Sequence, residues 1–199
     1  GIQPWKLTKG LLTEDQFMQM GPSFDRLDGR NIFVDDDPDR TLVSLRSKAR
    51  RLQMQHKLDL VVIDYLQLIQ VTDRAASENQ TQKMTHISDS IKQLAGELHC
   101  PILALSQLNR ECERRPDKRP QLSDLRDSGS IEQDADRVLM LYRDGYYNED
   151  VDDPHSTELY VRKNRHGPVG HVPLQFDDQR MTFEDVSSNP FRTHPEGGR

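Results

Sequence analysis

The sequence has few of the features that mark secreted, membrane-spanning or metal-binding proteins. Its 199 residues include two cysteines, Cys100 and Cys112, which provide neither a disulfide framework nor a C-x-x-C metal pair. No apolar run approaches the roughly 18–20 residues of a membrane-spanning helix, and the N-terminus lacks a signal-peptide pattern. These absences favour a reducing, cytoplasmic setting with no membrane partner.

Positive charge is also scarce. The chain has 27 Lys and Arg against 33 Asp and Glu, for a formal net charge of -6 at pH 7. Binding nucleic acid through bulk positive charge needs a surplus of cations, so that class of protein is disfavoured. A few arginines concentrated in one loop would still suffice. Hydrophobic residues make up 34% of the chain, enough for one domain with a thin core.

Strand and helix patterns alternate along the chain. Apolar runs predict strands at residues 60–63, 102–105, 138–142, 158–163 and 169–176. Helical spacing of apolar residues predicts helices at 13–20, 42–52 and 84–98. This order predicts an α/β fold, a mostly parallel sheet with helices on both faces and a C-terminal antiparallel hairpin. The run at 60–63 does not alternate with polar residues, which is typical of a strand buried on both faces.

Three regions follow from these patterns. Residues 1–30, with several Gly and Pro, are predicted to be connecting structure. Residues 31–185 are predicted to form the domain, and residues 186–199 a flexible tail.

Two polar residues follow the first two buried strands. Ligands of open α/β sheets bind at the carboxyl ends of the strands. Asp64 ends the first apolar run and could hold Mg²⁺ or its water, although a turn-capping role explains it equally simply. Gln107 follows the second run and could hydrogen-bond a γ-phosphate or an attacking water, or be an ordinary polar loop residue.

The 110–130 loop concentrates cations in an acidic chain. A loop of this length inside a compact domain is functional or disordered, and its cations suit the backbone phosphates of a single nucleic-acid strand. It has no aromatic residue for base stacking. Its cations are Arg110, Arg114, Arg115, Lys118, Arg119 and Arg126.

Lys163 and Arg165 precede a Gly-Pro turn and leave the same side of an extended chain. A rigidly held arginine can stabilise charge on the γ-phosphate of a nucleotide bound to a neighbouring subunit. Two solvated cations on a surface hairpin are the simpler alternative. The seven histidines show no metal-ligand spacing, and no G-x-S-x-G pattern is present.

Six motifs, in their order and spacing, resemble the bacterial replicative DNA helicases, the DnaB-like hexamers. The resemblance runs from about residue 7 to 183. The motifs are V-V-I-D-Y-L-Q-L at 61–68, L-S-Q-L-N-R at 105–110, D-K-R-P at 117–120, S-D-L-R-D-S-G-S-I-E-Q-D-A-D at 123–136, Y-R-D at 142–144 and K-N-R-H-G-P at 163–168.

The resemblance implies the C-terminal part of a RecA-like motor domain that uses ATP and Mg²⁺. Asp64 matches the Walker-B aspartate and metal ligand, and Gln107 the residue that couples the γ-phosphate to the DNA loop. Arg165 matches the arginine finger acting in trans, with Lys163 as a second cation. The implied contacts to single-stranded DNA are Arg119, Arg126, Asp127 and Gly129, with Asp127 standing where the family usually has Glu.

One departure is the absence of a G-x-x-x-x-G-K-[ST] phosphate loop and of the family's early catalytic glutamate. We therefore expect the chain to be a fragment of a longer helicase, with the N-terminal part of the motor domain missing, and to be inactive alone. The implied partners are single-stranded DNA, primase, a helicase loader and copies of the same protein in a homohexamer.

Two alternatives stay open. One is a non-catalytic RecA-like module for DNA binding or assembly. The other is a different RecA-like ATPase of recombination or repair.

Overall fold

The computed structural model describes residues 2–72 and 79–186, which form two units. The parallel-sheet unit comprises residues 35–138 and 162–166. The antiparallel-sheet unit comprises the described parts of residues 1–34, 139–161 and 167–199. Of the predicted tail at 186–199, all but Val186 lies outside the described residues.

The structure has every helix and strand that the sequence predicts, together with two short helices and one strand that it does not predict. The helices are α1 (Pro4–Thr8), α2 (Glu14–Leu27), α3 (Leu42–His56), α4 (Gln80–Leu98) and α5 (Gly129–Asp134). The strands are β1 (Val61–Ile63), β2 (Ile102–Ala104), β3 (Arg137–Arg143), β4 (Ser156–Asn164), β5 (Gly170–Asp177) and β6 (Thr182–Asp185). Short 3₁₀ helices are η1 (Leu66–Leu68), η2 (Arg110–Arg114), η3 (Leu122–Ser128) and η4 (Asp144–Tyr146).

Helix α4 is the central core element of the parallel-sheet unit. Asn79 caps its start by accepting a hydrogen bond from the Thr81 N–H at 2.9 Å. Its apolar residues recur every three or four positions and so share one face. The helix ends at His99, whose φ of 51° is left-handed. The buried apolar residues are Met84, Ile87, Ile91, Leu94 and Leu98.

Strands β1 and β2 pair in parallel, with Val61 opposite Ile102 and Ile63 opposite Ala104. Ile63 is buried in the core formed with α4. The prediction of a strand buried on both faces was wrong for β1, because Val62 is 56% exposed. Side chains alternate along a strand, so Val62 points away from the face that α4 covers.

The other four strands form a separate sheet in the order β3-β4-β5-β6. Strands β4 and β5 are antiparallel, which confirms the predicted hairpin, and Ser156 lies opposite Gln175. Strand β6 was not predicted; it pairs antiparallel to β5. The predicted fold class, with a parallel sheet and an antiparallel hairpin, is confirmed, and its strands are divided between two sheets.

Helix α2 is longer than the predicted 13–20 and continues through Pro22 to Leu27. Its start is fixed by a capping box in which Thr13 and Gln16 exchange hydrogen bonds. Within the described residues, none of the helices is both long and apolar enough to cross a membrane.

Candidate active site

Asp64 and Gln107 lie at the same edge of the parallel sheet. Asp64 directly follows β1, and Gln107 lies three residues beyond β2. The two segments stay paired beyond the strands, because the Leu105 N–H donates to the Ile63 carbonyl and the Leu66 N–H donates to the Leu105 carbonyl, both at 2.9 Å. Both side chains are exposed. The structure therefore brings these two predicted site residues to one solvent-facing edge.

Gln67 connects the two segments through its side chain. Its Oε1 accepts a hydrogen bond from the Gln107 N–H at 3.3 Å. Its Nε2 donates to Ser106 Oγ at 3.0 Å and to the Gln107 carbonyl oxygen at 3.4 Å. Gln67 was not among the site residues predicted from the sequence. Its only signal was its position three residues after Asp64 in the same motif.

Arg165 directly follows β4, and the carboxylate of Asp136 holds its side chain. Its Nη1 donates to Asp136 Oδ1 at 2.9 Å, and its backbone N–H donates to the Asp136 carbonyl at 2.8 Å. Lys92 Nζ donates to the other carboxylate oxygen, Oδ2, at 2.7 Å. The hydrogen bond from Lys92 is the main cause that lowers the pKa of Asp136 below its ordinary value, and the nearby Arg165 acts in the same direction.

The guanidinium of Arg165 is nevertheless accessible, with 47% of the side chain exposed. An arginine offers five N–H donors, and contacts to Asp136 and to the Gln133 carbonyl use only part of that set within the described residues. The arrangement can therefore hold the guanidinium through Nη1 and Nη2 and still leave N–H donors for a second anion.

Lys163 contacts the C-terminal end of α5. Its ammonium donates to the carbonyls of Glu132 at 2.5 Å and Gln133 at 3.1 Å. The last carbonyls of a helix lack intrahelical partners, and a cation there is favoured by the helix dipole. The structure thus gives Lys163 a helix-capping contact close to the residue that holds Arg165.

The 110–130 loop is built on an ion pair rather than left as a solvated coil. Arg115 donates to both carboxylate oxygens of Asp124, each at 2.7 Å. The Asp124 side chain is 4% exposed and also accepts the Gln121 N–H at 2.8 Å. Arg162 holds the same loop by donating to the Pro120 carbonyl at 2.8 Å.

The predicted DNA contacts lie on or next to this scaffold. Arg119 is half-buried and pairs with Asp117 at 3.5 Å. Gly129 is exposed and begins α5 directly after η3. The side chains of Arg126 and Asp127 lie outside the described part of the chain, and their backbone belongs to η3. The structure thus places Gly129 at the junction of η3 and α5.

Among the side chains that the structure describes, no cluster of three or more His, Cys, Asp or Glu could hold a metal ion. A single carboxylate such as Asp64 still fits Mg²⁺, which protein sites bind through one or two carboxylates together with substrate phosphates and water. Asp64 is exposed at a strand end, which leaves its carboxylate accessible for that role.

The antiparallel-sheet unit has a cavity of about 310 Å³ that the sequence patterns did not indicate. The Arg143 guanidinium lies 4.6 Å from the centre of the Phe176 ring in its wall. Its aromatic lining comes from three strands and from η4 and the residue after it, which is why no contiguous motif marks it. The other lining residues include Tyr142, Tyr146, Tyr147 and Phe183.

Comparison with known proteins gives consistent matches over most of the chain. The family model of the DnaB-like helicase C terminal domain matches residues 1–185. Replicative DNA helicase DnaB of Geobacillus stearothermophilus is 46% identical over 185 residues, which cover 93% of this chain and 40% of that protein. Replicative DNA helicase DnaC of Bacillus subtilis is 43% identical over 185 residues, again 93% of this chain and 40% of that protein. The chain therefore spans about 40% of the length of these curated relatives.

Solved structures agree. One that is described as an ATPase domain superposes with a TM-score of 0.86 at 34% identity, covering 94% of this chain and 66% of that one. A DnaB-like replicative helicase, described together with its interactions with primase, superposes with a TM-score of 0.84 at 35% identity. This match covers 94% of this chain and 46% of that one. Both matches support the predicted α/β fold class.

Proposed function

The chain belongs to the family of DnaB-like helicase C-terminal domains, as its motifs predicted, and from this we propose that it forms part of the motor of an ATP-dependent replicative DNA helicase. The observation that supports this most directly is the pairing of the Asp64 and Gln107 segments at one edge of the parallel sheet. This edge is where ligands of open α/β sheets bind.

In the proposed reaction, Asp64 holds Mg²⁺ directly or through a water, and Gln107 contacts the γ-phosphate of ATP or the attacking water. Bound Mg²⁺ would neutralise charge that develops on the phosphates. Gln107 fits its role because its backbone is fixed by Gln67 while its side chain is exposed. Loss of the γ-phosphate would then remove a contact of Gln107, which lies three residues before the 110–130 loop.

Arg165 is proposed to act in trans, on the nucleotide of a neighbouring subunit of a homohexamer. Its exposed guanidinium, fixed at one end by Asp136, suits an arginine that must reach beyond its own protomer. Lys163 is proposed to add a second cation near that nucleotide, and its contact with α5 would limit how far it reaches.

Single-stranded DNA is proposed to contact Arg119, Arg126, Asp127 and Gly129 in the central channel of the ring. The scaffold around Asp124 supports this, since an ordered loop presents its contacts at a lower entropic cost than a disordered one. Primase is a further proposed partner because the similar helicase structure was described with primase. We also propose a helicase loader as a partner and the cytoplasm as the location.

The 199 residues contain no G-x-x-x-x-G-K-[ST] loop, whose backbone N–H groups and lysine hold the phosphates. We therefore propose that the chain by itself does not hydrolyse ATP. The assay is phosphate release by the purified chain with Mg²⁺ and single-stranded DNA. Release that is abolished by Asp64→Asn would contradict the proposal.

A mixing experiment tests the shared site. In a full-length helicase containing this chain, Asp64→Asn should abolish turnover and Arg165→Ala should lower it by about 10³-fold. If the two residues act from different protomers, mixing the two variants 1:1 should restore activity. Each head-to-tail interface needs an intact Asp64 from one subunit and an intact Arg165 from the next, and about a quarter of the interfaces in randomly mixed rings meet this condition. As a control, Asp64→Asn mixed with the double variant should regain nothing. Mixed rings confirmed by mass spectrometry that stay inactive would refute the arrangement in trans.

A further inference from the structure

Gln67 sits on a segment that the core holds in place. It belongs to η1, where its neighbour Leu66 is 3% exposed and Ile69 is 6% exposed. Both residues pack in the cluster that includes Ile63 of β1. The backbone of Gln67 is therefore fixed relative to the strand that carries Asp64.

The amide of Gln67 pairs with the backbone of Gln107 as a neighbouring strand would. A primary amide offers one acceptor and two donors, so it can bind the N–H and the carbonyl of the same residue. Here the Gln107 N–H donates to Oε1, and Nε2 donates to the Gln107 carbonyl. The additional bond from Nε2 to Ser106 Oγ fixes the preceding residue as well.

The side chain of Gln107 is left for another partner. It is exposed, and within the described residues it makes no hydrogen bond, although its backbone makes two with Gln67. A residue whose backbone is clamped and whose side chain is unpaired is prepared to bind something outside the protomer.

We propose that Gln67 is a positioning residue that sets the direction of Gln107 relative to Asp64. This inference rests on the proposed function, in which Gln107 contacts the γ-phosphate or the attacking water. Since Gln67 lies three residues after Asp64 and pairs with Gln107, it holds the Gln107 backbone in place relative to the segment that carries Asp64. Loss of its amide would let Gln107 drift while Asp64 stays in place, and small misplacements at a reacting group are costly in rate.

The first test uses the 199-residue chain and needs no activity. Gln67→Met keeps the size of the side chain and removes its polar atoms. Hydrogen exchange at the Gln107 amide should become roughly 3- to 10-fold faster, the effect of losing one ordinary hydrogen bond. The Leu105 amide, bonded to Ile63, should keep its rate, as should Gln107 in the control Gln70→Met, an exposed glutamine three residues further along the chain. An unchanged rate at Gln107 in Gln67→Met would overturn the proposal.

The second test uses a full-length helicase containing the chain. Gln67→Met should lower kcat for DNA-stimulated ATP hydrolysis by about tenfold, with little change in KM for ATP, because binding is retained while orientation is lost. Gln70→Met should leave both constants unchanged. The double variant Gln67→Met/Gln107→Ala should be no slower than Gln107→Ala alone, since Gln67 acts through Gln107.

The outcomes separate the two proposals. If Gln107→Ala leaves turnover unchanged, the proposed role of Gln107 fails. If Gln107→Ala lowers turnover and Gln67→Met does not, only the positioning role fails. It also fails if the two effects add in full, because Gln67 would then act elsewhere.

Discussion

The ion pair between Arg115 and Asp124 is predicted to determine the stability of the 110–130 loop. Asp124→Asn keeps the shape of the side chain and removes its charge. The carboxylate accepts three hydrogen bonds at 2.7–2.8 Å, two from Arg115 and one from the Gln121 N–H. Asn retains one oxygen acceptor and turns an NH₂ group toward donors that need an acceptor.

The expected loss of stability in Asp124→Asn depends on how deeply the ion pair is buried. Breaking a fully buried ion pair costs about 3–5 kcal/mol, whereas here Asp124 is 4% exposed and Arg115 is 30% exposed, so water partly solvates the guanidinium. We expect Asp124→Asn to lower the free energy of unfolding by about 2–3 kcal/mol. For a chain of this length, that corresponds to a fall in Tm of roughly 5–10 °C, measured by circular dichroism.

A matched acidic residue in the same loop provides the control. Asp117 is 63% exposed and accepts the Arg119 N–H in a local turn that Asn forms equally well. Asp117→Asn should therefore change stability by less than about 0.5 kcal/mol. Equal effects of the two substitutions would refute the reasoning. Arg115→Met should be more destabilising than Arg115→Met/Asp124→Asn, because the single variant leaves a buried carboxylate without its cation.

Three further predictions concern the charged residues of the site. In a full-length helicase, Arg165→Ala should preserve ATP binding and lower turnover by about 10³-fold, and unchanged turnover would remove it from the site. Arg126→Ala should weaken single-stranded DNA binding and reduce the slope of log K against log salt concentration by about one. An unchanged slope would argue against a phosphate contact. The lowered pKa of Asp136 stabilises the chain above the unfolded-state pKa of about 3.9, and this contribution is lost as the pH falls through the folded value. Wild type should therefore be more stable than Asp136→Asn at pH 7, and in denaturant titrations the difference should shrink as the pH falls below that unfolded-state value; a difference that stays constant on acidification would refute the assignment.

The elements with a regular apolar pattern were predictable from the sequence. Helix α4 shows a helical spacing from Met84 to Leu98, and β1 and β2 are short apolar runs bounded by polar residues. Strand β6 was missed because its residues, 182–185, are exposed and its pairing with β5 depends on a contact that the local pattern does not encode. Helix α2 was cut short because Gly21 and Pro22 usually end helices.

The site residues that could be predicted from the sequence are the polar residues that closely follow a predicted strand. Asp64 and Gln107 follow apolar runs, so their placement at one edge follows from parallel pairing. The pairing of Gln67 with Gln107 spans 40 positions, and nothing in either neighbourhood indicates it. Arg115 resembled any other loop cation, yet its partner Asp124 is buried. Long-range polar contacts of this kind depend on the three-dimensional fold, which a local pattern does not carry.

Helix α5 has a mechanical consequence because of its length. Six residues of α-helix extend about 9 Å, too short to bend appreciably. Gly129 stands at one end, and Lys163 grips the carbonyls at the other. Ser88 of α4 also holds the far end by donating to Asp134 at 2.7 Å. A displacement of Gly129 along the helix axis would therefore pass through α5 to the Lys163 contact, two residues before Arg165, with little absorbed by bending of the helix.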